Sequence, residues 1–166
     1  MAALIAAIAL VACGGGDDPA APQDAREQAA TETETETTPA DLTDTSAKPV
    51  IPRPSGSPPD KLQVEDIVKG KGPAAKNGDT VTLDYVGTAF STGEEFGSSW
   101  EGQALPPFVL GTGSVIKGWD RGIVGMRVGG RRKLVIPPEQ AYGTQGQGPI
   151  GPNETLVFVV DLTRIG

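Results

Sequence analysis

Residues 80–87 read Thr-Val-Thr-Leu-Asp-Tyr-Val-Gly, and residues 156–162 read Leu-Val-Phe-Val-Val-Asp-Leu. In the first stretch Val81, Leu83 and Tyr85 occupy every second position, and in the second stretch every second residue from 156 onward is apolar. Side chains at alternate positions of a strand lie on the same face of a sheet. Both stretches therefore predict β-strands with one face turned toward a core.

Other stretches complete the predicted fold. Short strands are predicted at residues 62–68, 108–110 and 131–136; in the last of these, Leu134 and Ile136 share one face, and Arg131, Lys133 and Val135 share the other. Residues 117–126 predict the one helix, because Trp119, Ile123 and Met126 fall at helical spacing. Its three glycines mean that packing must hold it, since each glycine costs up to about 1 kcal/mol relative to alanine. These elements predict an α+β domain at residues 61–166, in which an antiparallel β-sheet wraps over one short α-helix.

Composition excludes several kinds of chemistry. The chain has no His and one Cys, which excludes a Ser-His-Asp triad, a His-ligated metal site and a disulfide. Nine of the 21 acidic residues but only three of the 14 basic residues lie in residues 13–58, so the rest of the chain is nearly neutral. Nucleic acid is not an expected partner, because phosphate binding needs a basic surface.

The N-terminus predicts export. Residues 1–12 form an uncharged apolar run, too short to span a bilayer as a helix, and are predicted to be a signal peptide. The sequence Leu-Val-Ala-Cys at residues 10–13 resembles the lipobox of bacterial lipoproteins. It implies a diacylglycerol on Cys13 and a protein anchored on the extracytoplasmic side of the cell membrane. A signal peptide without lipidation and a short buried segment with an incidental Cys are the alternatives.

Residues 13–60 predict a disordered, acidic and Pro-rich tether. The segment contains a Thr-Glu alternation and none of the eight aromatic residues of the chain. Such a composition cannot bury enough apolar surface to offset the entropy of ordering the chain. Deletion of residues 14–58 is accordingly predicted to leave the stability of the domain unchanged. An acidic interaction tail and a glycosylated Thr stretch are the alternatives to a spacer.

Seven segments of the domain together resemble FKBP-type peptidyl-prolyl cis-trans isomerases. Their order and spacing agree with the family across residues 61–166; the segments are residues 81–87, 95–99, 115–122, 125–129, 136–138, 141–143 and 152–158. The resemblance implies an isomerase of X-Pro bonds that acts on proline-containing polypeptides of the envelope or the exported proteome. It implies no cofactor and no metal.

The resemblance also implies a pocket. Trp119 would form its floor, under the proline ring of a substrate, and the backbone N–H of Ile116 and the hydroxyl of Tyr142 would bind substrate carbonyls. The wall positions implied in this way are Tyr85, Phe96, Val115, Ile116, Tyr142, Ile150 and Phe158.

Two departures from the family pattern bear on function. Gly97 follows Phe96 where the family usually has Asp, and Pro106 stands at a wall position that is often Phe. Both weigh against tight macrolide binding and fast catalysis. A proline-peptide-binding or chaperone module with weak or no catalysis is therefore the alternative function, and a surface lipoprotein with an inherited fold is the third. One compact domain on a tether suggests a monomer.

Overall fold

The structure is a computed structural model that describes residues 41–100 and 102–166. The predicted signal peptide, Cys13 and the first part of the predicted tether lie outside the described residues. Among those that are described, no helix has the length and the hydropathy needed to cross a membrane.

The described chain forms an antiparallel sheet. Its strands are β1 (Gln63–Val68), β2 (Thr80–Ala89), β3 (Glu95–Ser98), β4 (Phe108–Val109), β5 (Arg131–Ile136) and β6 (Leu156–Ile165). The order across the sheet is β1-β5-β6-β2-β3, and β4 pairs with β2 outside this path. One α-helix, α1 (Lys117–Gly122), and a 3₁₀ turn at Pro138–Gln140 complete the secondary structure of the described residues. The α+β prediction is confirmed.

The inner face of the sheet packs against α1. The alternate residues of β6 that were expected to share a face, from Leu156 to Leu162, all lie in this core, together with Leu83 and Leu134. From the other side, Trp119 and the turn after α1 fill the space. The period-two pattern of the longest strands thus places these residues on the face that meets α1.

Two glycines let α1 lie directly on β5. A Cβ atom at Gly118 would come within 2.4 Å of the Ile136 side chain, and one at Gly122 within 2.7 Å of Leu134. No larger residue fits at either position without moving the helix. The helix ends at Gly122, earlier than predicted, and Gly125 takes a positive φ of 82° in the turn that follows. The apolar spacing of Ile123 and Met126 continues into that turn, which is why the pattern predicted a longer helix.

The outer face of the sheet is also buried. Four valines point to this face, and each is at most 7% exposed: Val86, Val135, Val157 and Val159. Ile51, from the predicted tether, packs in the same cluster and is 8% exposed. We call residues 42–53 the strap, because this segment lies against the sheet and covers the valines.

Arg131 fixes the first half of the strap. Its side chain is 0% exposed and binds both carboxylate oxygens of Asp161 at 2.6 Å. The same guanidinium donates to the backbone carbonyls of Leu42, Asp44 and Ala47, at 3.3, 2.8 and 3.0 Å. A guanidinium has five N–H donors in a rigid fork, so a single side chain can bind a carboxylate and three carbonyls at once.

The predicted boundary at residue 60 is therefore corrected. Residues 42–53 belong to the packed domain, and the disorder predicted for the tether does not apply to them. Arg131 and Val135, predicted to lie on the face of β5 opposite Leu134, are buried beneath the strap. Because residues 42–53 pack on the sheet, deletion of residues 14–58 is no longer expected to leave the stability of the domain unchanged.

Candidate functional site

A cavity of about 510 Å³ opens on the inner side of the sheet, between β3, α1 and the loop that precedes β6. Most of the side chains around it are apolar or aromatic, and none carries a formal charge at neutral pH. Its lining consists of Tyr85, Phe96, Gly97, Leu105, Ser114, Val115, Ile116, Trp119, Tyr142, Gln147, Gly148, Pro149, Ile150 and Phe158.

Trp119 forms the floor of the cavity. The indole is 5% exposed and is held from several sides by other rings. Tyr85 and Phe158 meet it edge to face, with ring centroids 5.3 and 5.2 Å away, and Phe108 packs against it at 6.0 Å. The indole N–H is buried, and no described residue accepts its hydrogen. The floor therefore offers a substrate ring surface rather than a hydrogen-bond donor.

One glycine allows two wall rings to meet. Phe96 of β3 packs edge to face on Phe158 of β6, with centroids 5.5 Å apart. The strand between them, β2, carries Gly87 at this point, where a Cβ atom would lie 2.7 Å from the Phe96 ring and 2.8 Å from the Phe158 ring. Gly87 thus leaves room for the aromatic wall, which a side chain at that position would displace.

Two neutral donors stand at the cavity. The Ile116 carbonyl accepts from Trp119 N and Asp120 N at the start of α1, whereas its N–H has no acceptor among the described groups. Burial raises the pKa of the Tyr142 hydroxyl, and the nearby Tyr85 adds to the rise. The Tyr142 hydroxyl is therefore protonated at neutral pH and able to donate a hydrogen bond.

A tight turn closes one side of the cavity. Gln147 and Ile150 exchange both backbone hydrogen bonds at 2.9 Å, and Gly148 and Pro149 form the tip between them. Gly146 lies so close to Ile150 that a Cβ atom would come within 2.4 Å of its carbonyl oxygen. This turn carries Ile150, which is 7% exposed, to the wall.

The structure brings all eight predicted site residues to this one cavity, as its lining shows. Six lining residues were not expected: Gly97, Leu105, Ser114, Gln147, Gly148 and Pro149. Ser114 adjoins Val115, and the sequence proximity could have indicated it. Leu105, not Pro106, lines the wall, and Pro106 is exposed. The segment around Leu105 is irregular and has no periodicity from which its direction could be predicted.

The arrangement binds by shape and by neutral hydrogen bonds. It contains no carboxylate, no ammonium group and no thiol, and the described part of the chain has no cluster of His, Cys, Asp or Glu that could hold a metal ion. An aromatic floor, apolar walls and two donors define a site for a compact apolar ring flanked by carbonyl groups. An X-Pro segment of a polypeptide has this chemistry.

Sequence comparison agrees with this class of site. The family model described as FKBP-type peptidyl-prolyl cis-trans isomerase matches residues 72–163. An FK506-binding protein of Streptomyces anulatus is 52% identical over 120 residues, covering 71% of this chain and 97% of the relative. A probable FK506-binding protein of Corynebacterium glutamicum is 49% identical over 115 residues, covering 69% of this chain and 96% of that protein. The chain belongs to the FKBP-type isomerase family and is a peptidyl-prolyl cis-trans isomerase.

Solved structures give the same result. The crystal structure of AtFKBP13 matches with a TM-score of 0.60 and 37% identity, covering 66% of this chain and 96% of that one. The crystal structure of FkpA from Escherichia coli matches with a TM-score of 0.57 and 42% identity, covering 63% of this chain and 47% of that one.

The Streptomyces relative also bears on the strap. Its alignment covers 71% of this chain, which is about 118 of 166 residues. Even if that alignment runs to Gly166, it must begin at or before residue 50. The similarity therefore reaches upstream of β1 and into the strap.

Proposed function

We propose that the aromatic cavity is where X-Pro bonds rotate, with the proline ring on Trp119. The proposal rests on one observation above all: eight residues from separate segments of the chain converge on one cavity whose lining carries no formal charge. In this pose the Ile116 N–H and the Tyr142 hydroxyl bind carbonyl oxygens that flank the proline.

The chemistry requires no acid, base or metal. The barrier to X-Pro rotation is the partial double bond of the amide, about 18–20 kcal/mol for a peptide bond. At the transition state the amide is twisted, and its carbonyl is less polar than in the planar forms. A cavity with apolar walls and little water favours this less polar form, and each factor of ten in rate needs about 1.4 kcal/mol of preferential binding.

Tyr142→Phe tests the proposed donor. The change keeps the ring and removes one hydroxyl, so kcat/KM is expected to fall by the equivalent of one hydrogen bond, about 0.5–1.5 kcal/mol, with the melting temperature unchanged. Phe96→Ala removes apolar wall and is expected to lower kcat/KM further. The measurement is catalysed isomerisation of a panel of Xaa-Pro peptides, with a thermal melt of each variant.

The outcomes separate two functions. A folded wild-type chain that accelerates no peptide would favour a proline-peptide-binding or chaperone module instead. A wild-type chain that is active, alongside two variants that keep its full rate, would show that rotation occurs elsewhere on the domain.

The same cavity is proposed to bind a macrolide of the FK506 type. Two relatives of this chain are named for FK506, and the cavity has the apolar lining and the volume typical of small-molecule sites. Because Gly97 and Pro106 depart from the family pattern, the binding is expected to be weak. FK506 is expected to compete with a proline peptide for the site.

We further propose that the clients are exported or envelope proteins, because residues 10–13 match a lipobox at the end of an apolar run. With the native export signal present, Cys13→Ser is expected to move the protein from the membrane fraction to the soluble fraction. Gly16→Ala, just past the cysteine, is the matched control and should stay in the membrane. Unchanged membrane association of Cys13→Ser would overturn the anchor.

A further inference from the structure

β3, the second strand of the β2–β3 hairpin, carries part of the cavity wall and is only briefly paired with the sheet. β3 has four residues and lies at the end of the strand order. Gly97 pairs with Gly87 and Glu95 pairs with Thr88, so Phe96 is an extra residue with no partner on β2. This is a β-bulge, and a bulged residue is not positioned by the ladder of hydrogen bonds around it.

The second half of the strap contacts this hairpin directly. Arg53 donates to the backbone carbonyl of Ser91 at 2.8 Å, and its side chain packs on Gly93, where a Cβ atom would lie 2.9 Å from it. Lys48 forms an ion pair with Glu95 at 2.9 Å, next to Phe96 in the chain. Both partners of that ion pair are partly exposed, so the pair contributes little free energy. Its main effect is to fix the direction in which the strap crosses the hairpin.

Ile51 provides the apolar part of this contact. It is 8% exposed and belongs to the cluster that includes Val86 of β2, Phe90 just after β2 and Trp100 just after β3. Phe90, in the hairpin turn, and Trp100, just past β3, pack against the cluster that contains Ile51. Phe96 lies on the cavity side, against Phe158. The strap and the cavity hold the same short hairpin from opposite faces of the sheet.

We propose that the strap, through Ile51 and Arg53, positions Phe96 and thereby sets the shape of the isomerase site. Ile51 and Arg53 are positioning residues, since neither lines the cavity. The inference rests on the proposed function in one respect, which is that Phe96 is part of the working site. It makes the segment between the N-terminal region and the domain a component of the enzyme as well as a connection.

A double-mutant cycle in the full chain tests this. Ile51→Ala is expected to lower kcat/KM by roughly threefold to tenfold in the wild-type background, and to have little further effect when Phe96 is already Ala. Ile51→Val is expected to restore most of the rate, because it keeps a β-branched side chain in the cluster. Val50→Ala is the matched control, since Val50 is in the strap but 58% exposed. All assays are run well below the melting temperature of every variant.

Three results would overturn the inference. Ile51→Ala with the wild-type rate would show that the strap does not affect the site. An equal fold-loss in the Phe96→Ala background would show that Ile51 acts on the domain as a whole, while the proposed cavity still stands. A fully active Phe96→Ala chain would overturn both this inference and the proposed cavity.

Discussion

Deletion of residues 41–58 is expected to lower the melting temperature by on the order of 10 °C, because a domain of this size loses a few degrees for each kcal/mol of stability. The deletion removes Ile51 from the outer cluster and uncovers four valines that are each at most 7% exposed. Burial of one such side chain stabilises a fold by about 1.5–3 kcal/mol, and the entropy of ordering the strap offsets part of the sum. A net loss of about 2–3 kcal/mol accounts for the expected shift.

Deletion of residues 14–31, an equal number, is the matched control and is expected to leave the melt unchanged, since the composition of that segment predicts a spacer. The melting temperature of wild type and of both deletion variants is measured. In parallel, binding of a dye specific for exposed apolar surface is measured for the same three proteins. The dye is expected to bind the chain without residues 41–58 and not the control. If both deletion variants melt at the wild-type temperature, the strap does not contribute to the stability of the domain.

The strap marks the limit of what the sequence could predict about the fold. Residues 42–53 contain few large apolar side chains and two prolines, so their composition resembles that of a spacer. Their first half docks through backbone carbonyls that Arg131 binds, and their second half docks through the buried Pro49 and Ile51 and through Arg53. Every residue has a backbone carbonyl, so a contact made through carbonyls cannot be predicted from the residue types. Nor does the sequence show that Arg131 is buried, because a charged residue on an alternating strand ordinarily faces solvent.

The main strands were predictable for the opposite reason. β5 has the bounds expected for it, and the alternate residues of β2 and β6 predicted to share a face do meet the α1 core, because side chains two apart on a strand lie on the same side of the sheet. The intervening residues Val157 and Val159 are buried too, on the outer face, which the pattern did not predict. β3 was missed, since it has four residues, a glycine and a bulge at Phe96, which together remove any alternation.

The cavity was predictable only by resemblance. Its residues come from three strands, the start of α1 and two loops, and no local pattern connects them. Apart from the resemblance, the sequence offered two indications: it has no His, and its aromatic residues lie in one part of the chain. Both favour a site that binds its substrate by shape rather than by acid–base groups. Glycines at 87, 118 and 122 are unfavourable for a strand or a helix by propensity. In the structure, Gly87 leaves room for two aromatic rings to meet, and Gly118 and Gly122 let the helix lie close to β5.

Arg131→Met is expected to cost about 3–5 kcal/mol of stability at neutral pH, because it leaves the buried carboxylate of Asp161 without its partner. In wild type the guanidinium binds both carboxylate oxygens at 2.6 Å and is itself 0% exposed. Met keeps much of the length and apolar volume of the Arg stem, so the loss comes from the missing charge and hydrogen bonds rather than from a cavity. Arg164→Met is the matched control, since Arg164 lies on β6 but is exposed, and it is expected to change stability little.

The Arg131→Met deficit is expected to narrow as the pH falls. In wild type, burial raises the pKa of Asp161, and the Arg131 guanidinium opposes that rise. Without Arg131 the pKa of Asp161 lies higher still, so the folded variant takes up a proton at a pH where the unfolded chain, with its ordinary carboxyl pKa of 3.8, remains ionised. Proton uptake by the folded state alone favours folding, and the variant therefore regains stability as the pH falls through the raised pKa toward 3.8. Denaturant unfolding of wild type, Arg131→Met and Arg164→Met across this range measures the effect; a deficit that stays constant or widens on acidification would show that Asp161 is not the group left unpaired.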